Sequence, residues 1–313
     1  NTGRYRDQWH TMTRTGLSAT LSQHRREPLL EIHPDDGERF GIVDGGLAEV
    51  TTGYGRQAFR VLFEPGQRRG EVFAPMHWTD AMAGAGRTNR LAAPRVDPVS
   101  GQPGFKNTPA KVTAVTPEWR GFLVTTKFPE SLGAGLSQPG AAPDQPHPRA
   151  DSDILYWAKS RVTGGWLCEL AGMGSVDAEA LLPEGPRVEV SDAVRQMRRI
   201  AVSDSEGRLA AALYLTRSGT LPAREWIAAQ LGGDEAGATE LLAARPRTPQ
   251  EETGALVCLC HGVGERRIAA AARGGADSVA AIGACTLAGT NCGSCRPAIA
   301  RLLAAVEAER EAA

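Results

Sequence analysis

The chain has 313 residues, with 35 Lys and Arg against 36 Asp and Glu, for a formal net charge of −1. That balance gives no basic footprint for general nucleic-acid or membrane attraction, and no apolar run approaches the ~18 residues of a membrane span, so neither partner is expected. Hydrophobic residues make up 42% of a length that supports two or three domains. No secretory leader is visible and five of the six cysteines cluster between 258 and 295, which suits a reducing, cytoplasmic setting. The chain begins Asn1-Thr2-Gly3-Arg4 as if in mid-domain, so a missing N-terminal part is expected.

The first segment, 2–14, is dense in donors: Arg4, Arg6, Arg14, His10, Trp9, Gln8 and several Thr hydroxyls beside a flexible Gly3. Such a loop suits a phosphorylated, hydrogen-bonding ligand, with Arg on phosphates and backbone N–H groups on oxygens. A polar surface turn is the alternative reading. The next stretch reads as β-rich. Residues 29–32 form a short strand ended by His33-Pro34-Asp35-Asp36-Gly37, and 39–43, 47–52, 57–64 and 70–73 look extended between Gly, Pro and Asp turns. Many short strands with such turns predict a small closed barrel.

From 116 to 250 the pattern is mixed. Residues 119–126 read as a strand, 133–149 as a Gly/Pro/Ser/Gln-rich flexible loop, 153–159 as helical, and 164–172 as a strand and turn. Cys168 alternates with Leu167 and Glu169, which predicts a strand residue rather than a metal ligand. A hairpin is expected around Gly207, a helix over 234–245 after an acidic start, and a linker over 246–252. The Arg198-Arg199 pair reads as a solvated edge.

The cysteines come as Cys258-Leu259-Cys260 and Cys292-Gly293-Ser294-Cys295. A thiolate pair one or two residues apart can chelate a metal centre from a single loop, and two such loops supply four sulfurs, the set for an iron–sulfur cluster or a tetrahedral zinc. Residues 265–273 predict a helix stopped by Gly274-Gly275. Asp277 and Ser278 suit the cap of a second helix over 279–288, ended by Gly289, and Pro297 suits the start of a third. Both pairs thus sit on loops beside helix starts, where N–H groups can offset negative charge on sulfur. Cys285 falls mid-helix outside both pairs and is read as packing.

Residues 257–303 closely resemble the bacterioferritin-associated-ferredoxin-like [2Fe–2S] domain, most specifically in Ala288-Gly-Thr-Asn-Cys-Gly-Ser-Cys-Arg-Pro297. The resemblance implies that Cys258, Cys260, Cys292 and Cys295 ligate the cluster. Structural zinc remains the alternative, although C-x-C is unusual for zinc loops. Residues 1–115 resemble the C-terminal molybdopterin-dinucleotide-binding domain of the bis-molybdopterin guanine dinucleotide oxidoreductases, in particular the assimilatory nitrate reductases. The motifs are Thr2-Gly-Arg4…Gln8-Trp-His-Thr11-Met-Thr13, Ile32-His-Pro34, Pro75-Met-His-Trp78, Asn89, and Asp97-Pro98…Phe105-Lys106.

That resemblance implies a mixed, multi-domain architecture: a double-psi β-barrel over 1–115, an α+β connector over 116–250 and a small all-α [2Fe–2S] domain over 251–313. It implies that Thr2, Gly3, Arg4, Gln8, Trp9, His10 and Thr11 contact Mo-bis-molybdopterin guanine dinucleotide. His77 or Trp78, Asn89 and Lys106 follow as later contacts. The stretch from Trp78 to Asn89, around Ala83-Gly-Ala-Gly86, is longer than the family pattern. The implied activity is reduction of nitrate to nitrite. Electrons from a reductase subunit, ferredoxin or flavodoxin would enter at the [2Fe–2S] cluster and pass through a [4Fe–4S] cluster in the missing part. No catalytic residue is named within this chain, and this piece alone is not expected to turn over nitrate. The alternatives are another molybdopterin oxidoreductase, such as a formate dehydrogenase, or a non-catalytic [2Fe–2S] electron-transfer module.

Overall fold

Short apolar runs between Gly, Pro and Asp turns build the first of two six-stranded sheets. The computed structural model describes every residue except 7, 9–11, 23, 105, 134–153, 248–253 and 312–313. The fold is mixed α/β and rich in sheet. The 133–149 loop expected from composition falls almost wholly outside the described residues.

The first sheet contains β1 (Thr2–Gly3), β2 (Leu29–Ile32), β3 (Leu47–Thr52), β4 (Gly55–Phe63), β5 (Val72–Pro75) and β6 (Lys111–Val115), in the order β1-β5-β2-β4-β3-β6. The β1–β5 and β2–β4 pairs are parallel and the other pairs antiparallel. Among the described residues β1 and β6 end the ladder unpaired with each other, so it does not close into the expected barrel. Leu30, Ile32, Ala48, Val50, Phe59 and Val61 form its core. Residues 33–39, expected as a turn running into an extended segment, instead contain helix α1 (Pro34–Arg39). Pro34 occupies the first turn, where its missing N–H costs nothing, and His33 Nδ1 accepts the Asp35 N–H at 3.1 Å. Asp35 and Asp36 complement the helix dipole.

The second sheet is antiparallel throughout. It contains β7 (Trp119–Thr125), β8 (Ile154–Val162), β9 (Gly165–Gly172), β10 (Arg187–Asp192), β11 (Met197–Ser203) and β12 (Leu209–Thr216), in the order β10-β11-β12-β7-β9-β8. Short helix α2 (Glu130–Gly133) follows β7. Period-two alternation divides the strands between two cores. Leu123, Leu170, Ile200 and Leu213 face one side, while Phe122, Leu167, Ala201 and Tyr214 face the other beneath α3 (Glu225–Ala229) and α4 (Ala238–Ala243). The hairpin at Gly207 and the strand placement of Cys168 are present. The segment expected as a helix over 153–159 is strand β8 where it is described. Ile154, Tyr156 and Trp157 are β-formers, and pairing with β9 overrides the local helical reading.

The long stretch between Trp78 and Asn89 joins the two sheets. Gly84 donates its N–H to Trp157 O at 3.0 Å, and Lys159 donates to Met82 O at 2.8 Å. Met12, Trp78, Met82, Ala83, Tyr156 and Ala171 share one buried cluster across the junction. Tyr156 also donates its hydroxyl to Glu27 at 2.8 Å, and Glu27 pairs with Arg60 at 3.1 Å. Burial raises the Glu27 carboxyl pKa against the opposing pull of Arg60.

The C-terminal part was expected to be all-α. It also has a two-stranded ribbon, β13 (Leu256–Cys258) and β14 (Val263–Gly264), ahead of α5 (Glu265–Arg273), α6 (Val279–Thr286) and α7 (Arg296–Glu311). Ser278 caps α6 by accepting the Ala281 N–H at 3.1 Å, and Leu287 ends it in the left-handed region. Arg310 donates to Ala272 O and Arg273 O, the carbonyl end of α5, which clasps α7 to it. Among the described residues no helix is long and apolar enough to cross a membrane.

A Cβ at Gly84 would fall 2.2 Å from Trp157 Nε1. Gly84→Ala is therefore expected to destabilise the sheet junction by about 1–3 kcal/mol, as overpacked sites do. Gly53→Ala, where a Cβ meets nothing within 4 Å, is the control and is expected to change little. Urea unfolding followed by tryptophan fluorescence measures both.

Candidate metal centre and cofactor loop

Two thiol pairs, brought together from opposite ends of the C-terminal part, form the first site. Ile268 of α5, Ile282 of α6 and Ile299 of α7 pack into one core with Cys258 and Cys295. This packing sets the loop after β13 against the loop before α7. Cys260 Sγ lies 3.3 Å from Cys292 Sγ, well beyond an S–S bond of about 2.05 Å, so these are thiols in contact. Cys258 and Cys295 are each 2% exposed and form the inner pair; Cys260 and Cys292 are exposed and form the outer one.

The electrostatics follow that division. Burial first, then the hydrogen bond and charge of Cys258, push the Cys295 thiol up, while the backbone N–H groups of Gly289 and Cys295 oppose the shift. The hydrogen bond with the Cys292 thiol pushes Cys260 up, and the Cys292 backbone N–H opposes it. The Ser294 hydroxyl lies 3.2 Å from Cys292 Sγ. Among the described residues no group of three or more His, Cys, Asp or Glu side chains is already gathered at chelating spacing, so the thiols stand as two close pairs. The donor set nevertheless fits a soft four-sulfur centre: two thiols come from each of two loops, with N–H and O–H donors beside the sulfurs. Cys285, expected to pack, is exposed on α6. The buried face of α6 runs through Ile282, Gly283 and Thr286, and the helical period leaves Cys285 off that face. Cys168 is buried in β9, where burial pushes its thiol up to about 12.

The second site lies at the chain's first loop. Thr2 is buried in β1, in register with Ala74, and a Cβ on Gly3 would meet the Phe73 ring at 2.9 Å. Arg4 is exposed. Gln8 is buried and donates Nε2 to Arg25 O at 3.1 Å. Trp9, His10 and Thr11 lie outside the described residues. His77 and Trp78 are buried, whereas Asn89 and Lys106 are exposed. A cavity of about 50 Å³ is lined by Thr2, Ala74, Thr88, Leu91 and Thr108; of the expected later contacts, neither Asn89 nor Lys106 lines it. Thr88 Oγ1 donates to Pro75 O at 2.7 Å, and buried Arg87 takes Gln57 Oε1 at 3.0 Å through its backbone N–H, which holds this rim together.

Thr2 Oγ1, Gln8 Oε1, Ser22 Oγ, Arg25 Nε and Trp78 Nε1 are buried without a hydrogen-bond partner among the described residues. Each such atom costs about 1–3 kcal/mol unless something polar meets it. This group of unmet polar atoms around the loop fits a hydrogen-bonding cofactor. Ser22 and Arg25 were not singled out by the sequence, because neither belongs to a motif.

These two sites belong to a recognisable class. Residues 1–109 match the family described as Molydopterin dinucleotide binding domain, and residues 256–305 match the BFD-like [2Fe-2S] binding domain. The chain is a homologue of the nitrate reductases. It is 34% identical over 311 residues to a nitrate reductase of Klebsiella oxytoca, covering 97% of this chain and 33% of that protein. It is 32% identical over 105 residues to the assimilatory nitrate reductase catalytic subunit of Bacillus subtilis, covering 34% of this chain and 14% of that one. It is also 32% identical over 114 residues to the F420-dependent formate dehydrogenase 1 subunit alpha of Methanococcus maripaludis, 36% of this chain and 16% of that one. The chain thus spans about a third of the Klebsiella relative's length and less of the other two.

In chain prepared without metal, Cys260, Cys285 and Cys292 are expected to react quickly with a thiol probe, and Cys168, Cys258 and Cys295 slowly. Mild oxidation is expected to yield a Cys260–Cys292 disulfide before any other. Mass mapping of the labelled peptides measures both, and a preferred Cys258–Cys260 bond would contradict the pairing.

Proposed function

We propose that the chain acts as part of a molybdenum-dependent nitrate reductase, in which residues 1–115 cover one side of a Mo-bis-molybdopterin guanine dinucleotide and residues 251–313 carry a [2Fe–2S] cluster. The observation that carries this reading is the alignment with the Klebsiella nitrate reductase, which runs through both matched segments and the residues between them. Residues 116–250 act as the connector.

Bound molybdenum would supply the two-electron chemistry that converts nitrate to nitrite. This chain's residues bind and orient. Thr2, Gln8 and Trp78 place buried polar atoms toward the cofactor, Arg4 and Lys106 supply cations for its phosphates, and Asn89 offers both a donor and an acceptor. Trp9, His10, Thr11 and His77 complete the proposed contact set. Cys258, Cys260, Cys292 and Cys295 hold the cluster, with the outer pair toward solvent where a cytoplasmic electron donor can approach. A [4Fe–4S] centre and the substrate pocket belong to the rest of such an enzyme. A formate dehydrogenase is the second reading, favoured by the Methanococcus relative, but that similarity stops at about a third of this chain.

Anaerobic reconstitution of the 313-residue chain is expected to give visible absorption, about two irons per chain, and an EPR signal after dithionite reduction. Ser at Cys258, Cys260, Cys292 or Cys295 abolishes the signal, while Ser at Cys168 or Cys285 preserves it. Bound zinc and EPR silence would overturn the cluster assignment. In the complete enzyme, Lys106→Ala is expected to weaken retention of the guanine dinucleotide by roughly ten- to a hundredfold, the range for losing a charged hydrogen bond. Formate oxidation without nitrate reduction by that enzyme would select the second reading.

A further inference from the structure

The two sites touch. Arg6 Nη1 donates to Ser294 O at 3.3 Å, across 288 residues of sequence. Ser294 lies inside the C-x2-C loop. Its hydroxyl stands 3.2 Å from Cys292 Sγ, which is 3.3 Å from Cys260 Sγ. The Arg6 guanidinium therefore sits on the backbone of the loop that presents the outer thiol pair.

Both sides of this contact are held in place. Next to Arg6, Tyr5 is buried, donates its hydroxyl to Leu29 O at 3.0 Å and packs 6.0 Å from the Phe73 ring. Arg25 lies over the Tyr5 ring at 5.8 Å. Tyr5 thus fixes where Arg6 leaves the first sheet. On the cysteine side, Arg296 donates Nε to Gly289 O at 3.0 Å, and its backbone N–H bonds Gly293 O at 3.1 Å. Gly293 sits in the left-handed region, at φ +75°. The Ser294 carbonyl, which accepts from Arg6, thereby sits on a tight, pinned loop.

We propose that Arg6 is a positioning residue that latches the cysteine loop onto the N-terminal loop, so that one surface turn joins the two sites. Arg6 follows Thr2-Gly3-Arg4 and precedes Gln8, all in the proposed dinucleotide contact set. The turn that touches the pterin cofactor then also sets the position of the outer thiol pair. The contact itself is independent of what the thiols bind; its redox consequence rests on the cluster assignment made above. A fixed cation beside the loop favours the more negative, reduced state of a four-sulfur centre and so raises its potential. The same contact makes occupancy of the first loop and order in the cysteine loop reciprocal.

Hydrogen exchange of the reconstituted 313-residue chain, followed by peptide mass spectrometry, tests the latch. Arg6→Gln is expected to speed amide exchange over 290–296 by roughly two- to tenfold, the effect of removing one hydrogen bond from a local opening equilibrium. Exchange in β12 stays unchanged as the internal control for folding. An EPR-monitored redox titration of the same variant is expected to show a lower midpoint potential, and Arg6→Lys, which keeps the charge, recovers most of it. Unchanged exchange over 290–296 in Arg6→Gln overturns the latch. Absence of any cluster signal in the unmutated chain overturns the cluster assignment instead, and the exchange result still decides the latch.

Discussion

Everything at the sulfur site depends on one packing arrangement. The inner faces of α5, α6 and α7 bury Ile268, Ile282 and Ile299 against one another, and only that burial brings the two cysteine loops together. Burying an aliphatic side chain of this size contributes about 1.5–3 kcal/mol, enough to hold loops that have few contacts of their own. The site is layered as a result. The inner thiols, Cys258 and Cys295, share the apolar core, where burial pushes the Cys295 thiol up, while Cys260 and Cys292 face solvent. A metal centre bound there would be anchored from the inside and reached from the outside.

The same logic, burial as the agent that gathers distant polar groups, holds at the other end of the chain. The β8 strand of the second sheet receives residues 82–85 through backbone hydrogen bonds and a shared apolar cluster. That segment thereby serves the sheet junction. By anchoring it, the second sheet also anchors Trp78 and the rim that leads to Asn89. The second sheet thus holds the Trp78–Asn89 segment in place even though it carries no motif of its own. The Glu27–Arg60–Tyr156 group adds a polar tie at the same junction, with the carboxylate shielded from water and matched by one cation and one hydroxyl.

Arg6 connects these two gathering events. An exposed single hydrogen bond is weak by itself, so its importance lies in where it sits: between a turn fixed by Tyr5 and a loop fixed by Arg296. With both backbones already held, forming the contact costs chiefly the rotamer freedom of the Arg6 side chain.

Local signals were sufficient for much of the chain. The closely spaced cysteine pairs, the capped helices α5 and α6 and the Gly207 hairpin are all properties of short stretches, governed by caps and turn residues. The donor-rich character of the first loop was legible in the same way. What the sequence could not decide were the features that depend on distant partners. Residues 154–159 became a strand because β9 lies beside them, Cys285 turned outward because the buried face of α6 runs through Ile282, Gly283 and Thr286, and the C-terminal part gained a ribbon at its entry. The division of four thiols into an inner and an outer pair, the unmet polar atoms of Ser22 and Arg25, and the reach of Arg6 to Ser294 likewise appear only in three dimensions. The physical reason is common to all: chelating spacing and capping act over a few residues, whereas burial and backbone pairing are set by whatever the completed fold places alongside.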